Sequence, residues 1–295
     1  MAIKTIFVVG AGFMGAGIAQ VGAQAGYEML LYDISTEAVD KGVNTAKKNL
    51  GRNVEKGKLT QEAMDKALSL IKPSTSLNDG AKADLIIEAV FENLDVKNEI
   101  FSTLDGICPP STLFATNTSS IPISTIANSV KRKDKFIGMH FFSPVPVMRL
   151  CELINSINTS AETYKAVEEV AQKMGKETVK AKDVPGFIVN RINAALRQEC
   201  YRCMEEGVAT PQDIDKALKA GLNHPMGPFE LGDFVGLDIG YNVINTLYNA
   251  YKEPKWAPNL TLEKLVKAGD YGRKTGKGWY DYTSGERKPR TDVNF

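Results

Sequence analysis

The sequence has few of the residues that mark several large protein classes. It holds 4 cysteines in 295 residues, without the clustered spacing of a disulfide-built secreted domain, so we expect a reducing, cytoplasmic location. Its 36 basic and 35 acidic residues leave a formal net charge of +1, which gives no general attraction to nucleic acid or to anionic membranes. With only 2 histidines and no metal-ligand spacing among the cysteines, we also expect no metal site.

A long apolar run is also missing. Residues 5–27 carry no charge, but they include 6 glycines and two glutamines, too weakly apolar for a membrane span or a signal peptide. The overall composition, 43% hydrophobic and 24% charged, is that of a globular protein, and the length favours about two domains.

Short apolar segments alternate with helical patterns in the N-terminal half. We predict strands at Thr5–Val9, Glu28–Asp33, Ala83–Val90, Leu113–Thr116, Phe136–His140 and Cys151–Asn155, and a helix over Leu94–Leu104 with Lys97 on its polar side. Such buried strands with helices between them indicate a Rossmann-type, doubly wound and mostly parallel sheet. After Asp183 the pattern becomes helical, with one helix from about Phe187 to Glu206 and another opened by Thr210-Pro211. We therefore predict an α/β domain over residues 1–184 and a smaller all-helical domain over residues 185–295.

A glycine-rich turn follows the first predicted strand. It has the pattern G-x-G-x-x-G, and the residues expected to bind a cofactor are Gly10, Gly12, Phe13, Met14 and Gly15. The glycines permit a tight turn and close approach to a pyrophosphate, which lies at the start of the following helix. Asp33 ends the second strand 18 residues later, where an acidic side chain binds the adenosine ribose and disfavours NADP. This predicts NAD, with FAD or a glycine turn without a ligand as weaker alternatives.

His140 ends another predicted strand, and Glu152 lies 12 residues further along the chain. If the two strands are neighbours, the pair makes a general acid–base group, whereas the alternative is a packed histidine and a surface glutamate. We interpret His224, in a Pro/Gly turn, as structural.

Further candidates lie at a strand end, on one helix face and past the domain break. The segment Asn117-Thr118-Ser119-Ser120 could hold a carbonyl oxygen or a nicotinamide, or could form an Asx or Ser/Thr turn. Lys48, Arg52 and Lys56 recur every four residues, so they suit either a polyanionic ligand or a solvated surface. Asn190 could face a cleft from the second domain, and we interpret the Cys200–Cys203 pair as helix packing.

Seven segments resemble the short-chain L-3-hydroxyacyl-CoA dehydrogenases, and most closely the bacterial 3-hydroxybutyryl-CoA dehydrogenases. In order, they are GAGFMGAGIAQ, EAVFENLDVK, TNTSS, GMHFFSPVPVM, DVPGFIVNR, NHPMGPFELGDFVGLD and GRKTGKGWYDY, and they run from residue 10 to residue 282. One departure is Ser143, where the family usually has asparagine after H-F-F.

The resemblance implies an activity and a set of residue roles. The activity is interconversion of (S)-3-hydroxybutyryl-CoA and acetoacetyl-CoA with NAD. Separately from the resemblance, the apolar runs Phe229–Leu237 and Leu260–Val266 of the helical domain favour a homodimer. The implied catalytic residues are His140, Glu152, Ser119 and Asn190; the implied NAD contacts add Asp33, Glu92, Lys97, Asn117, Ser119 and His140 to the glycine turn; the implied substrate contacts are Ser119, Asn190, Lys48, Arg52 and Lys56.

Two other functions stay open on the same architecture. A 6-phosphogluconate-type β-hydroxyacid dehydrogenase would use a lysine as acid–base group, with Lys182 as the nearest candidate. A non-catalytic, crystallin-like protein would bind NAD without turnover. This alternative stays open because a fold alone does not fix a function.

Overall fold

The computed structural model describes residues 3–292 and divides the chain into two compact units, Met1–Phe187 and Ile188–Phe295. The predicted order, an α/β unit followed by a helical unit, is confirmed. The first unit has strands β1 (Thr5–Val9), β2 (Glu28–Tyr32), β3 (Ile71–Ser74), β4 (Leu85–Glu88), β5 (Leu113–Thr116), β6 (Phe136–Phe141), β7 (Leu150–Asn155) and β8 (Glu177–Lys182). Its helices are α1 (Phe13–Gln24), α2 (Thr36–Glu55), α3 (Gln61–Leu70), α4 (Leu94–Ile107), α5 (Ile123–Ile126) and α6 (Ala161–Lys173).

The strands form one sheet in the order β3-β2-β1-β4-β5-β6-β7-β8. Strands β1 to β6 are parallel, and the strand order reverses between β1 and β4, where doubly wound sheets bind ligands beyond their carboxyl ends. Strand β7 is antiparallel to β6, because only residues 142–149 join them and a parallel return needs a crossover of about a dozen residues or more. The turn from β6 to β7 therefore places residues of both strands side by side at the edge where the ligand is expected.

The central strands are buried on both faces, as their continuous apolar runs predict. Ile6, Phe7 and Val8 of β1 are 0% exposed, and helices from both sides cover the sheet. The sequence predicts neither of the two edge strands, β3 and β8. Strand β3 reads IKPS and β8 reads ETVKAK, so neither contains the apolar run that identifies a buried strand.

The second unit contains helices α7 (Val189–Glu205), α8 (Pro211–Leu222), α9 (Pro228–Val235), α10 (Leu237–Tyr251) and α11 (Leu260–Lys267). As predicted, the Thr210 side chain caps α8 by accepting a hydrogen bond from the Asp213 amide. The sequence did not predict the small antiparallel pair β9 (Tyr280–Asp281) and β10 (Lys288–Pro289). Each strand has only two residues, too few for a period of two to be recognised.

Two buried carboxylates hold the second unit together. Asp215 accepts hydrogen bonds from the Phe229 amide and the Tyr280 hydroxyl, while Asp233 accepts from the amides of Trp279 and Tyr280. Asp233 is 1% exposed, and this burial raises its pKa to about 6 although those hydrogen bonds oppose the shift. Within residues 3–292, no helix is both long and apolar enough to cross a membrane.

Candidate active site

The glycine turn joins the end of β1 to α1. Gly10 has φ +104°, and a Cβ atom there would lie 2.8 Å from the Ala89 carbonyl oxygen. A Cβ on Gly15 would lie 1.7 Å from the Gly10 carbonyl oxygen, so only glycine lets α1 begin so close to the turn. A Cβ on Gly12 would meet no heavy atom within 4 Å, which leaves open space in front of the backbone. That space fits a pyrophosphate at the start of the helix.

A cavity of about 420 Å³ extends from this turn to the end of β2. Gly10, Gly12, Asp33 and Ile34 line one part of it, and Val90 and Phe91 line another. The Asp33 carboxylate accepts hydrogen bonds from the Ala11 and Ile34 amides, each at 2.8 Å, which fixes its position beside the turn. The lining residues include no lysine or arginine, so the cavity suits an adenosine ribose without an added phosphate. Phe13 is exposed and Met14 is half-buried at the start of α1.

Glu92 forms hydrogen bonds with several residues of the loop that follows β5. Its Oε1 atom accepts hydrogen bonds from the Thr118 hydroxyl at 2.5 Å, the Ser119 amide at 3.0 Å and the Ser120 amide at 2.9 Å. Burial alone would raise the pKa of Glu92, but the Lys97 ammonium and the hydrogen bonds from Thr118 and Ser120 lower it below its ordinary value. Glu92 is therefore ionised, and its hydrogen bonds hold this loop in place.

Lys97 does not lie on the polar side of α4, so that expectation is wrong. Its side chain is 1% exposed, and its Nζ atom lies 2.7 Å from Glu88 Oε1 and 3.4 Å from Glu92 Oε2. Attraction to the two carboxylates holds the Lys97 ammonium beneath the ends of the strands. This tertiary interaction outweighs the helical pattern, which predicts Lys97 on the polar side. A direct contact of Lys97 with NAD stays a prediction.

His140 and Glu152 are directly opposite each other in the antiparallel pair β6–β7. His140 Nδ1 lies 2.8 Å from Glu152 Oε2, and the two residues are 6% and 0% exposed. The rings of Phe142 and Phe187 flank the imidazole at centroid distances of 4.7 and 5.5 Å. The residues that the sequence suggested as an acid–base pair thus lie within hydrogen-bonding distance in an apolar setting.

The loop after β5 meets the end of β6 beside His140. Asn117 Oδ1 accepts a hydrogen bond from the Phe141 amide at 2.8 Å, so this side chain ties the two strand ends together. Ser119 is half-buried, and its hydroxyl makes no hydrogen bond within residues 3–292. That hydroxyl can accept or donate to a ligand. Ser143 is exposed in the turn after β6.

The remaining candidates lie apart from this cluster or in the second unit. Lys48 and Arg52 are exposed on α2, whereas Lys56 follows the last residue of that helix and is its C-cap. Asn190 is in the first turn of α7, and half-buried His224 follows the left-handed residue Asn223 that ends α8. Cys200 is buried in the helical core.

Sequence reasoning missed Glu88, which is 0% exposed and bonds to Thr116 and Lys97. A signal was present, because this acid stands at the end of an otherwise apolar strand, LIIE. Carboxylates buried at strand ends of such sheets are candidates for a functional role.

Comparison with known proteins gives consistent matches along the chain. Residues 5–184 match the model of the 3-hydroxyacyl-CoA dehydrogenase NAD binding domain, and residues 186–282 match the C-terminal domain of the same enzymes. The chain is 46% identical to a probable 3-hydroxybutyryl-CoA dehydrogenase of Bacillus subtilis strain 168, over 96% of this chain and 98% of that protein. It is 42% identical to 3-hydroxyadipyl-CoA dehydrogenase of Escherichia coli K12, over 95% of this chain and 59% of that protein. The crystal structure of (S)-3-hydroxybutyryl-CoA dehydrogenase from Ralstonia eutropha superposes with a TM-score of 0.93 at 45% identity, covering 95% of this chain and 99% of that one.

Proposed function

Because the chain belongs to the 3-hydroxyacyl-CoA dehydrogenase family and is an NAD-dependent enzyme of that kind, we propose that it interconverts (S)-3-hydroxybutyryl-CoA and acetoacetyl-CoA. The observation that carries the chemistry is the 2.8 Å contact between His140 and Glu152. An ionised carboxylate only accepts hydrogen bonds, so the Nδ1 atom of His140 bears the proton and Nε2 is left for the substrate.

His140 then moves the proton of the reacting oxygen. In the oxidative direction Nε2 takes the hydroxyl proton, and in the reductive direction it returns a proton to the carbonyl oxygen. Glu152 stabilises the imidazolium that forms, while Phe142 and Phe187 keep water from the ring. Bound NAD supplies the hydride acceptor or donor.

Ser119 and Asn190 are the proposed ligands of the reacting oxygen. The Ser119 hydroxyl is suited to this because its backbone is fixed by Glu92 at 3.0 Å while its side chain has no protein partner in the described residues. A donor held in place before the substrate arrives costs no reorganisation during the reaction. For Asn190, the support is the family resemblance of the segment GFIVNR.

The coenzyme A portion is the proposed ligand of the exposed basic residues Lys48, Arg52 and Lys56. A cluster of positive charges attracts the phosphates of coenzyme A, and none of these three side chains forms an ion pair within the described residues. The four-carbon acyl chain is proposed from the relatives named for 3-hydroxybutyryl-CoA, although one relative is named for the six-carbon dicarboxylic 3-hydroxyadipyl-CoA. Turnover with four-, eight- and sixteen-carbon acyl chains and with 3-hydroxyadipyl-CoA tests that choice.

We also propose that two copies associate through the second unit. Phe234, Val235 and Leu260 are 56%, 42% and 66% exposed there, and apolar side chains of this size are often covered by a partner. A monomeric mass in sedimentation equilibrium would contradict this.

The decisive experiment measures reduction of acetoacetyl-CoA from the absorbance of NADH. We expect His140→Gln to lower kcat by about 10²–10⁴-fold while NADH still binds, because the variant loses only proton transfer. His224→Gln is the matched control and should keep wild-type turnover. Near-normal turnover of His140→Gln would reject the assignment. Turnover of free 3-hydroxy acids in place of CoA esters would favour the 6-phosphogluconate-type alternative, and NADH binding without any turnover would favour a non-catalytic protein.

A further inference from the structure

A network of buried charges lies beneath the ends of β4 and β5. Glu88 is 0% exposed and Lys97 is 1% exposed, and their charged atoms are 2.7 Å apart. Removing two ions from water is costly, and an apolar pair of similar size is often as stable or more so. Fold stability alone therefore does not explain why charged residues lie here. Their hydrogen-bond partners point to another role.

Glu88 holds the ends of two neighbouring strands. Its Oε2 atom accepts a hydrogen bond from the Thr116 hydroxyl at 2.7 Å, and Thr116 is the last residue of β5. Its Oε1 atom accepts from the Val90 amide and from Lys97, each at 2.7 Å. Val90 lines the cavity beside Gly10, and Thr116 leads into the loop that contains Ser119.

Lys97 carries the influence of Glu88 to the loop. Its Nζ atom is shared between Glu88 and Glu92, and Glu92 in turn binds the amides of Ser119 and Ser120. Glu88 thus holds Lys97 in place, Lys97 attracts Glu92, and Glu92 fixes the backbone of Ser119. Thr116 forms a second route, because its hydroxyl oxygen also accepts from the Thr118 amide at 3.3 Å.

We propose that Glu88 is a positioning residue for the reaction, which acts through Lys97 and Glu92 to place the Ser119 hydroxyl for the acyl-CoA substrate. The proposal rests on the proposed function only in its identification of Ser119 as a substrate ligand. It assigns Lys97 to the organisation of the loop, since the ammonium is enclosed by carboxylates and 1% exposed.

The test uses Glu88→Gln, which keeps the side-chain size and removes the charge. The glutamine keeps one acceptor oxygen, and its amide nitrogen only donates, so it must lose either the hydrogen bond from Thr116 or those from Val90 and Lys97. Either loss loosens the anchor of the loop. We expect kcat/KM for acetoacetyl-CoA, measured at saturating NADH, to fall by about tenfold or more, which is a larger factor than the rise in the Kd of NADH. We also expect faster hydrogen exchange at the Ser119 and Ser120 amides, a readout that does not depend on turnover.

The matched control is Asp105→Asn on the same helix, α4. The Asp105 side chain is 6% exposed and pairs at 2.7 Å with Arg132, which is 16% exposed, so its loss also removes a largely enclosed ion pair, but none of its contacts reaches the loop. We expect a lower Tm with unchanged kcat/KM and unchanged exchange at Ser119. The double variant Glu88→Gln with Lys97→Met removes both charges, and it should recover Tm relative to Lys97→Met alone without recovering kcat/KM.

Three results would overturn the proposal: wild-type kcat/KM in Glu88→Gln, wild-type exchange at Ser119 and Ser120 in that variant, or recovery of kcat/KM in the double variant along with Tm. Faster exchange at those amides in an enzyme that does not reduce acetoacetyl-CoA would uphold the positioning role and refute the proposed function instead.

Discussion

Glu152→Gln is the sharpest perturbation of the proposed acid–base pair. The substitution keeps the size of a side chain that is 0% exposed, and the amide oxygen can still accept from His140 Nδ1 at about the observed 2.8 Å. What is lost is the negative charge opposite the imidazolium. Hydrogen bonds to charged groups contribute about 1.5–3 kcal/mol and neutral ones about 1 kcal/mol, so the loss is about 0.5–2 kcal/mol. That corresponds to a fall of about 2- to 30-fold in kcat.

The assay is the reduction of acetoacetyl-CoA at saturating NADH, with the Kd of NADH measured separately. In the proposed mechanism Glu152 acts on the reaction through His140, so the double variant His140→Gln with Glu152→Gln should be no slower than His140→Gln alone. Two results would refute this reasoning. One is a kcat for Glu152→Gln within about two-fold of wild type, and the other is a double variant whose loss equals the product of the two single losses.

Three further predictions concern the cofactor, the coenzyme A portion and stability. Asp33→Asn removes the charge that repels a ribose phosphate, so the preference for NAD over NADP, measured as a ratio of kcat/KM values, should fall by about tenfold; an unchanged ratio would place the discrimination elsewhere. Arg52→Glu combined with Lys56→Glu should raise KM for the CoA ester and spare a short analogue that lacks coenzyme A, whereas equal effects on both would point to damaged folding. Burial holds the pKa of Asp233 at about 6 in the folded protein, above the value of about 3.9 in an unfolded chain, so the native state binds the proton more tightly. The free energy of unfolding, taken relative to Asp233→Asn, should therefore be highest below pH about 4 and fall by up to about 3 kcal/mol as the pH rises through about 6, and urea unfolding showing the opposite slope would contradict the shift.

The sequence predicts the central strands well because they are buried on both faces. Thr5–Val9 and Leu113–Thr116 are apolar except for one threonine each and coincide with β1 and β5. The edge strands β3 and β8 escape the same reasoning, since a strand with one solvated side tolerates lysine and proline. Their presence depends on pairing with distant segments, which no local pattern records.

The residues of the candidate site also differ in how far the sequence alone predicts their positions. The glycine turn and Asp33 follow a fixed local spacing, so the sequence alone places them. The juxtaposition of His140 and Glu152 needs the strand register, and the spacing of 12 residues permits it without requiring it. Glu88 and Lys97 show the limit most clearly, because helical periodicity puts Lys97 in solvent and only the tertiary arrangement brings the ammonium under two carboxylates.

The opposed register of β6 and β7 has a consequence for how this enzyme can change over evolution. The separation of His140 and Glu152 is set by main-chain pairing, so it does not depend on the length or composition of the turn at residues 142–149. Insertions in that turn can therefore be accommodated while the proposed proton-transfer pair keeps its geometry. A single-residue deletion inside either strand, by contrast, would turn one of the two side chains to the opposite face of the sheet and separate them at once.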